Sequence, residues 1–417
     1  MDKLKAHSIL SAIMLVSVLG TAGIALPYPL LSPYFVSGVE DPLTQFLGLN
    51  PKILLGITLA AYPLGTLIGS NIIGSLSDRY GRKPILLYTL LGSVVGYLLT
   101  AATFVWGSFL GFIAMRFITG FCEGNISIAR AIAVELHPHI DRHRAMSLVY
   151  ATVYAGWLIG PLAGGYLAPY GIDTAFVIAG LAMLLATLMV MIILPSQPPQ
   201  KPSNISIWRE ISQNHSAVLL KEPAIRRFFV YYFLYTLGIN AYYEFYPLWT
   251  VEAHGFDSKQ IGWITVAITS LMIMMSVSIA DKIPKAIGDK PALLGGNILF
   301  GFLIIIATFT AMPWVYLPIA LTGAVIAVIN LVFPVLLSKY FGHLGQGKIM
   351  GLQVSFFCLT NFLVAILGSL VSLISAETTL WVAAVLIIIS VFTFETPEQT
   401  ELDRDKPSDS TEPSTSD

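Results

Sequence analysis

Apolar stretches long enough to cross a lipid bilayer recur along this chain from end to end. A hydrocarbon core about 30 Å thick takes roughly 20 consecutive apolar residues as an α-helix. Within that solvent every backbone polar group has to be satisfied internally, so only helices and closed barrels can span it. Such runs fall near 9–35, 52–76, 85–104, 107–134, 144–168 and 174–194, then near 227–251, 260–280, 291–311, 314–337, 348–374 and 377–395. Charged residues make up only 11% of the chain, less than half of the roughly 25% usual in soluble domains. The expected fold is therefore all-α and integral to the membrane, with twelve transmembrane helices. Met1 to Lys5 followed by an apolar run from Ile9 has the outline of a secretion signal. The run continues for roughly 20 residues, however, and reads as an uncleaved first helix.

The spans separate into a first bundle over 1–194 and a second over 227–395. The stretch 195–226, with Pro195, Pro198, Pro199 and Pro202 among polar residues, reads as a cytoplasmic linker. The tail 396–417 is acidic and too polar to bury a core, so it is expected to be disordered. Lys and Arg in the connections set the orientation. The even-numbered connections and the N-terminus hold seventeen, whereas the odd-numbered connections hold only Lys52 and Lys259. That bias places both termini in the cytoplasm.

The two halves echo one another. Lys52–Ile–Leu–Leu–Gly56–Ile–Thr58 returns as Lys259–Gln–Ile–Gly262–Trp–Ile–Thr265, and Asp78 as Asp281. Lys83–Pro84 returns as Lys290–Pro291, and Arg144–Ala–Met146–Ser–Leu148 as Lys348–Ile–Met350–Gly–Leu352. The offsets of 207, 203, 207 and 204 residues are nearly constant, which argues for an internal repeat and two pseudo-symmetric six-helix bundles. Transporters built from such parallel repeats bind substrate near mid-membrane, between the halves.

Several function classes are excluded by what is missing. The net charge of −1 and the lack of a basic stripe give no footprint for nucleic acid. Cys122 and Cys358 lie in apolar runs, read as small buried hydrophobes, and form neither a metal set nor a disulfide framework. No nucleophile–base pair, metal-ligand spacing or phosphate loop is present, so neither an enzyme nor a cofactor is expected. His137, His139 and His143 share a loop with Pro138 and Asp141 and read as solvated residues rather than a metal site. Asn204–Ile–Ser206 fits a glycosylation pattern, but on the cytoplasmic side the fit is accidental.

The second connection reads Gly74–Ser–Leu–Ser–Asp78–Arg79–Tyr–Gly81–Arg82–Lys83. This string resembles the signature loop G-x-L-x-D-R-x-G-R-K of the major facilitator superfamily, in full and between the right two helices. The resemblance implies a cytoplasmic latch. In the family the Asp lies against the N-terminus of a helix from the other half, where the helix dipole favours a carboxylate. The arginines pair with an acid at the cytoplasmic end of helix four, a place that Glu135 occupies here. In the second half the loop reads Asp281–Lys282–Ile–Pro284 and is expected to have lost the Gly and Arg of the latch.

In the fifth segment, Gly156–Trp–Leu–Ile–Gly160–Pro161–Leu–Ala–Gly164–Gly165 repeats glycine every four residues and forms a flat helical stripe suited to close packing. The string also resembles the fifth-helix motif of proton-coupled drug antiporters such as the tetracycline exporters. Arg116–Phe–Ile–Thr–Gly120 is similar to their fourth-helix motif, with Thr119 in place of the usual Gln. The likeness is strongest over roughly 70–168 and architectural beyond.

Helix four carries Arg116, Glu123 and Arg130 at a spacing of seven, on one face to within about 20° per step. Ionisable groups at membrane depth cost at least roughly 2.5–3.5 kcal/mol each, so they are expected to face the bundle interior or an aqueous cavity. Arg116 and Glu123 stand about 10 Å apart along the axis, and Arg116 leans away from Glu123. Arg116 therefore needs another partner. Many drug antiporters place an acid in helix one, but Gly20–Thr–Ala–Gly–Ile–Ala25 has none. A substrate anion or Glu244 of helix seven remains. Two readings of Glu123 stand: it carries the coupling proton, or it only neutralises an arginine through a neighbouring helix. Arg130, near the cytoplasmic boundary, is in reach of the interface by snorkelling.

Helix seven is crowded with aromatics, and Asn240, Tyr243 and Glu244 share one of its faces, read as cavity wall. Asn330, Gln353 and Asn361 serve either as interhelical glue or as substrate contacts. Pro27, Pro29 and Pro33 are expected to loosen helix one beside the cavity.

These features point to a secondary active transporter that moves a small molecule by alternating access. Proton-coupled efflux is the leading reading, with proton-coupled uptake of an anionic nutrient or siderophore as the alternative and a non-transporting membrane receptor as a remote one. The expected partners are the substrate, protons and the lipid bilayer, and the expected setting is a monomer in a bacterial inner membrane.

Overall fold

The structure is a computed structural model that describes residues 3–38, 40–136, 138–140, 142–195, 216–279, 282–344 and 346–396. Most of the linker, the acidic tail, Asp281, His137, Asp141 and the Asn204–Ser206 pattern lie outside the described residues. The described residues fold into fifteen α-helices without strands. The first eight are α1 (Lys3–Ala25), α2 (Tyr28–Val36), α3 (Pro51–Tyr80), α4 (Arg82–Val105), α5 (Phe109–Glu123), α6 (Ile126–Glu135), α7 (Arg142–Leu167) and α8 (Ile172–Ile193). After the linker come α9 (Pro223–His254), α10 (Ser258–Ser278), α11 (Lys282–Ile287), α12 (Asp289–Thr308), α13 (Tyr316–Phe341), α14 (Gln346–Val371) and α15 (Ala376–Phe392).

Eight spans among the described residues are long and apolar enough to cross a membrane by themselves. The other four expected segments, α7 among them, are helical but do not meet that measure. Segment seven, α9, is rich in tyrosine, and segment twelve, α15, has only 17 residues. Segment four is not continuous, which corrects the expected helix over 107–134. It breaks into α5 and α6 at Gly124–Asn125. Arg130 therefore sits on a separate helix, and the seven-residue spacing does not carry one face past Glu123.

Local chemistry sets the ends. Asn50 caps α3, accepting from the Lys52 N–H at 2.9 Å, with Pro51 at the first helical position. Asp257 and Gln260 form a reciprocal capping box on α10. Pro27 marks the α1–α2 boundary, where the prolines were expected to loosen helix one.

Gly81, between α3 and α4, has φ +98° and ψ 148°, a conformation reserved for glycine. Gly288 repeats it before α12 with φ +93° and ψ 155°. The expectation that the second half had lost this glycine is thereby corrected. Gly288 lies 207 residues after Gly81, whereas Asp281 lies 203 after Asp78. The difference of four residues is taken up by α11.

The packing is repeated in the same sense. The pairs α1·α7, α1·α8, α3·α5, α4·α5 and α4·α8 have counterparts in α9·α14, α9·α15, α10·α13, α12·α13 and α12·α15. Between the two sets, α3 meets α14, α7 meets α10, and α2 meets α9.

Candidate substrate and proton site

A cavity opens between the two sets of helices. Its wall includes Tyr28 of α2, Trp157 of α7, Asn240 and Tyr243 of α9, Asn330 of α13 and Asn361 of α14. About 960 Å³ of space is free of protein atoms, its open side included. The Trp157 ring stands between Tyr28, 5.8 Å away, and Tyr243, 6.1 Å away and tilted by only 24°. Three aromatic rings from three helices thus form a platform shared by both sides of the cavity. The Asn240 amide donates to Thr360 Oγ1 at 3.0 Å and to the Phe357 carbonyl at 3.2 Å. It fastens α9 to α14 while its side chain lines the cavity.

Glu244 lies one turn beyond Asn240 on α9 and is only 1% exposed. Neither of its carboxylate oxygens has a hydrogen-bond partner among the described residues. Leaving a polar group buried and unbonded costs roughly 1–3 kcal/mol, and more when it is charged. A group retained at that cost is available to a ligand or a proton.

Arg116 and Glu123 are both buried, yet no ion pair joins them. The Arg116 guanidinium instead faces the rings of Tyr62 at 5.1 Å and Phe176 at 5.8 Å, and its Nε and Nη1 have no acceptor. Cation–π contacts of this kind contribute about 2 kcal/mol or more when desolvated. The Tyr62 hydroxyl donates to Glu123 Oε2, and Glu123 Oε1 remains without a partner. Glu123 borders a small pocket with Ser17, Gly20 and Thr21 of α1 and Asn125. The carboxyl therefore faces α1 within its own bundle. Of the two settings the sequence allowed, Arg116 and Glu123 take the bundle interior rather than the wall of the central cavity, and neither oxygen of Glu244 reaches Arg116.

Glycines explain why this cluster sits where it does. A side chain at Gly65 or Gly69 of α3 would strike the backbone of Phe117 or Phe121 on α5. One at Gly120 would strike the Tyr62 carbonyl, and one at Gly124 the backbone of Gly69 and Ser70. Such close backbone approach brings Tyr62 against Glu123. Beyond the break, Asn125 Nδ2 donates to Thr89 Oγ1 of α4 at 3.2 Å.

Of the loop Gly74–Lys83, Arg82 is paired. Its Nε and Nη2 donate to Glu135 Oε1 at 3.1 and 3.0 Å, and its Nη1 donates to Ser77 Oγ at 2.7 Å. Lys83 donates to the Met191 carbonyl at 2.9 Å, and the Arg79 guanidinium lies 5.8 Å from the Tyr80 ring. The Asp78 side chain lies outside the described residues. In the fifth-helix motif, side chains at Gly156, Gly160 and Gly164 would strike α1 and its extension through Leu26. Gly165 instead approaches Ser258 and Lys259, and Gly262 of α10 approaches the Pro161 carbonyl. The motif is thus a two-sided packing surface where α7 touches both α1 and α10. Among the described residues no cluster of metal-ligating side chains occurs.

Sequence reasoning passed over Tyr28, Tyr62 and Trp157. For Trp157 the fifth-helix string was read as a packing stripe and a family motif, although it sets an aromatic beside Gly156. For Tyr62 a signal lay in the paired four-residue glycine spacings 65/69 and 120/124.

Comparison with known proteins extends the likeness well beyond 70–168. The chain is 27% identical over 365 residues to "Tetracycline resistance protein, class H" of Pasteurella multocida, covering 86% of each chain. The human organic anion transporter MFSD10 (TETRAN) superposes with a TM-score of 0.71 at 21% identity, covering 94% of this chain and 99% of that one. A D-xylose-proton symporter superposes with a TM-score of 0.73 at 17% identity, covering 96% and 99%. The model of the Major Facilitator Superfamily matches residues 10–287 and again 228–415. The chain belongs to the Major Facilitator Superfamily and is an integral membrane secondary transporter resembling its drug/proton antiporters.

Proposed function

We propose that this transporter exports a small aromatic amphiphile in exchange for protons. It is read as twelve spans in two pseudo-symmetric bundles, 1–194 and 227–395, joined by the cytoplasmic linker 195–226. Both termini face the cytoplasm of a bacterial inner membrane, and the working unit is a monomer. The observation that carries the reading is the division of the buried carboxyls. Glu244, one turn beyond the cavity-lining Asn240 and buried without itself lining the cavity, has both oxygens unbonded among the described residues, while Glu123 lies apart from the cavity, held by Tyr62 next to Arg116. Glu244 and the Tyr28–Trp157–Tyr243 platform take the substrate, with Asn240 as a positioning residue. Glu123 takes the coupling proton, and Arg116 stabilises its ionised form through the shared Tyr62.

Arg82, Glu135 and the rest of Gly74, Asp78, Arg79, Gly81 and Lys83 act in this reading as the cytoplasmic latch. Gly156, Gly160, Pro161, Gly164 and Gly165 act as the sliding surface of α7. The relatives named for tetracycline resistance support export and make tetracycline the first probe. Proton-coupled uptake of an anion is the second reading, favoured by the two guanidinium nitrogens of Arg116 that lack acceptors. Its weakness is that Arg116 is held between Tyr62 and Phe176 rather than lining the cavity.

The test is transport in inverted membrane vesicles with the interior acidified. Accumulation of tetracycline or another aromatic cation, dependent on the protein and lost in Glu123→Gln, supports export. Gradient-coupled movement of a carboxylate nutrient that Arg116→Ala abolishes, with no drug movement, replaces it with uptake.

A further inference from the structure

A second furrow lies outside the central cavity, between α12 and α13 and closed at one end by α11. Met275, Ile287, Gly295, Leu299, Leu321 and Val328 are among its walls, and about 810 Å³ of space in and over it is free of protein atoms, its open side included. Ile287, Leu299 and Leu321 are exposed, which in an integral membrane protein means that they meet lipid. Gly295 keeps the furrow open, because a Cβ there would touch nothing within 4 Å. Along α12 the wall runs from Pro291 to Leu303, roughly 18 Å at 1.5 Å per residue. One leaflet of a bilayer has about 15 Å of hydrocarbon. The furrow therefore has the length of one acyl chain and the chemistry to hold it.

The closed end has a different character. On α11, Ile283 and Ile287 are one turn apart and line the furrow, while Lys282 and Lys285 are exposed. Lys290 follows at the start of α12, also exposed, its ammonium 5.6 Å over the Phe394 ring. Asp289 is the carboxylate described in this segment, and Asp281 precedes it outside the described residues. Three lysines against these acids leave an excess of positive charge where the apolar furrow ends, at the depth of the headgroups. Lysines near a membrane surface attract anionic lipids, and an ethanolamine headgroup forfeits part of that attraction through its own ammonium.

We propose that this furrow binds one phospholipid with a net-anionic headgroup. Its acyl chain lies along Gly295 and Leu299, and its phosphate is held by Lys282, Lys285 and Lys290. Six residues, Lys282–Ile287, stand between Asp281 and Gly288 where the first half has only Arg79 and Tyr80 between Asp78 and Gly81, and they form α11, so the site has no twin in the first half.

The experiment is native mass spectrometry of the full-length protein, reconstituted with equal phosphatidylglycerol and phosphatidylethanolamine and then stripped with increasing detergent. The wild type is expected to keep one phosphatidylglycerol, at least about five-fold in preference to phosphatidylethanolamine. The triple variant Lys282→Gln/Lys285→Gln/Lys290→Gln is expected to lose that preference. Gly295→Leu, which fills the furrow, is expected to keep neither lipid while unfolding at the wild-type temperature. Equal retention of both lipids by the wild type, or undiminished phosphatidylglycerol retention by Gly295→Leu, overturns the proposal. Should Gly295→Leu prove unstable, the triple variant decides: an unchanged lipid preference in it refutes the site.

Discussion

The Lys52 ammonium, in the first turn of α3, lies 2.6 Å from Glu252 Oε1 near the end of α9. The same ammonium donates to the Ser372 carbonyl at 2.7 Å, and Glu252 Oε2 accepts from the Ala376 N–H at 3.2 Å. One ion pair therefore ties the first half of the chain to three helices of the second. Its repeat counterpart, Lys259 of α10, crosses in the opposite direction and lies 5.0 Å over the Tyr166 ring. The glycine contacts between halves lie at this end too, Gly56 against Ala365 and Ser369, and Gly165 against Ser258. The two cations that entered the sequence argument as exceptions to the charge bias thus both close one face of the protein.

Opening that face is predicted to become easier when the ion pair is removed. The pair is partly exposed, so its contribution is small, about 0–1 kcal/mol. A two-state transporter needs no more than that for a measurable shift, since 1 kcal/mol changes a population ratio about five-fold. Glu252→Gln is expected to increase the long-distance population between spin labels at Leu49 and Ile374, both exposed at this end, by two- to five-fold. High salt should reproduce part of the effect in the wild type. An unchanged distance distribution rules out a gating role for the pair.

Much of this fold was legible in the sequence. The expected segments and the observed helices agree to within a few residues, because apolar length is a local property. Contacts that join residues distant in the chain were not legible. Nothing local distinguishes Lys52 as a cross-half partner when Glu252 stands two hundred residues away. The break after Glu123 was missed for the same reason. Gly124 and Asn125 are tolerated inside a membrane helix, and the backbone of Gly69 and Ser70 that packs against Gly124 is distant in the chain. Charge spacing found Arg116, Glu123 and Glu244, but a periodicity cannot say which cavity a side chain faces.

The Arg82–Glu135 pair is predicted to be energetically coupled despite its partial exposure. Two guanidinium nitrogens meet one carboxylate oxygen while a third is held by Ser77. A double-mutant cycle with Arg82→Gln and Glu135→Gln, read by thermal unfolding in detergent, is expected to give a coupling of about 0.5–1 kcal/mol. Strict additivity of the two substitutions contradicts it.

Close packing of α3 on α5 predicts a contrast between two glycines. Gly120→Ala places a methyl group against the Tyr62 carbonyl, whereas Gly20→Ala meets nothing within 4 Å. Overpacking of this kind costs about 1–3 kcal/mol. The Gly120 variant is expected to unfold several degrees below the wild type and the Gly20 variant at the same temperature. Equal stability of the two would show that α3 and α5 are not in backbone contact.

Separate positions for the two carboxyls predict separable defects. Trp157 lies in the cavity wall, so binding of a probe such as tetracycline should quench its fluorescence, and Trp157→Phe should remove that part of the signal. Glu244→Gln removes charge beside the cavity and is expected to weaken binding about ten-fold or more, equivalent to about 1.4 kcal/mol. Glu123→Gln is expected to leave binding within about two-fold of the wild type, because Glu123 faces α1 and not the cavity. The same substitution should abolish transport driven by a pH gradient while sparing exchange of labelled for unlabelled substrate, which needs no net proton movement. Tyr62→Phe removes the Tyr62 hydroxyl donor to Glu123 and should slow gradient-driven transport without altering binding. If Glu123→Gln weakens binding as much as Glu244→Gln does, proton and substrate compete for a single site, and the division of roles between the two carboxyls is wrong.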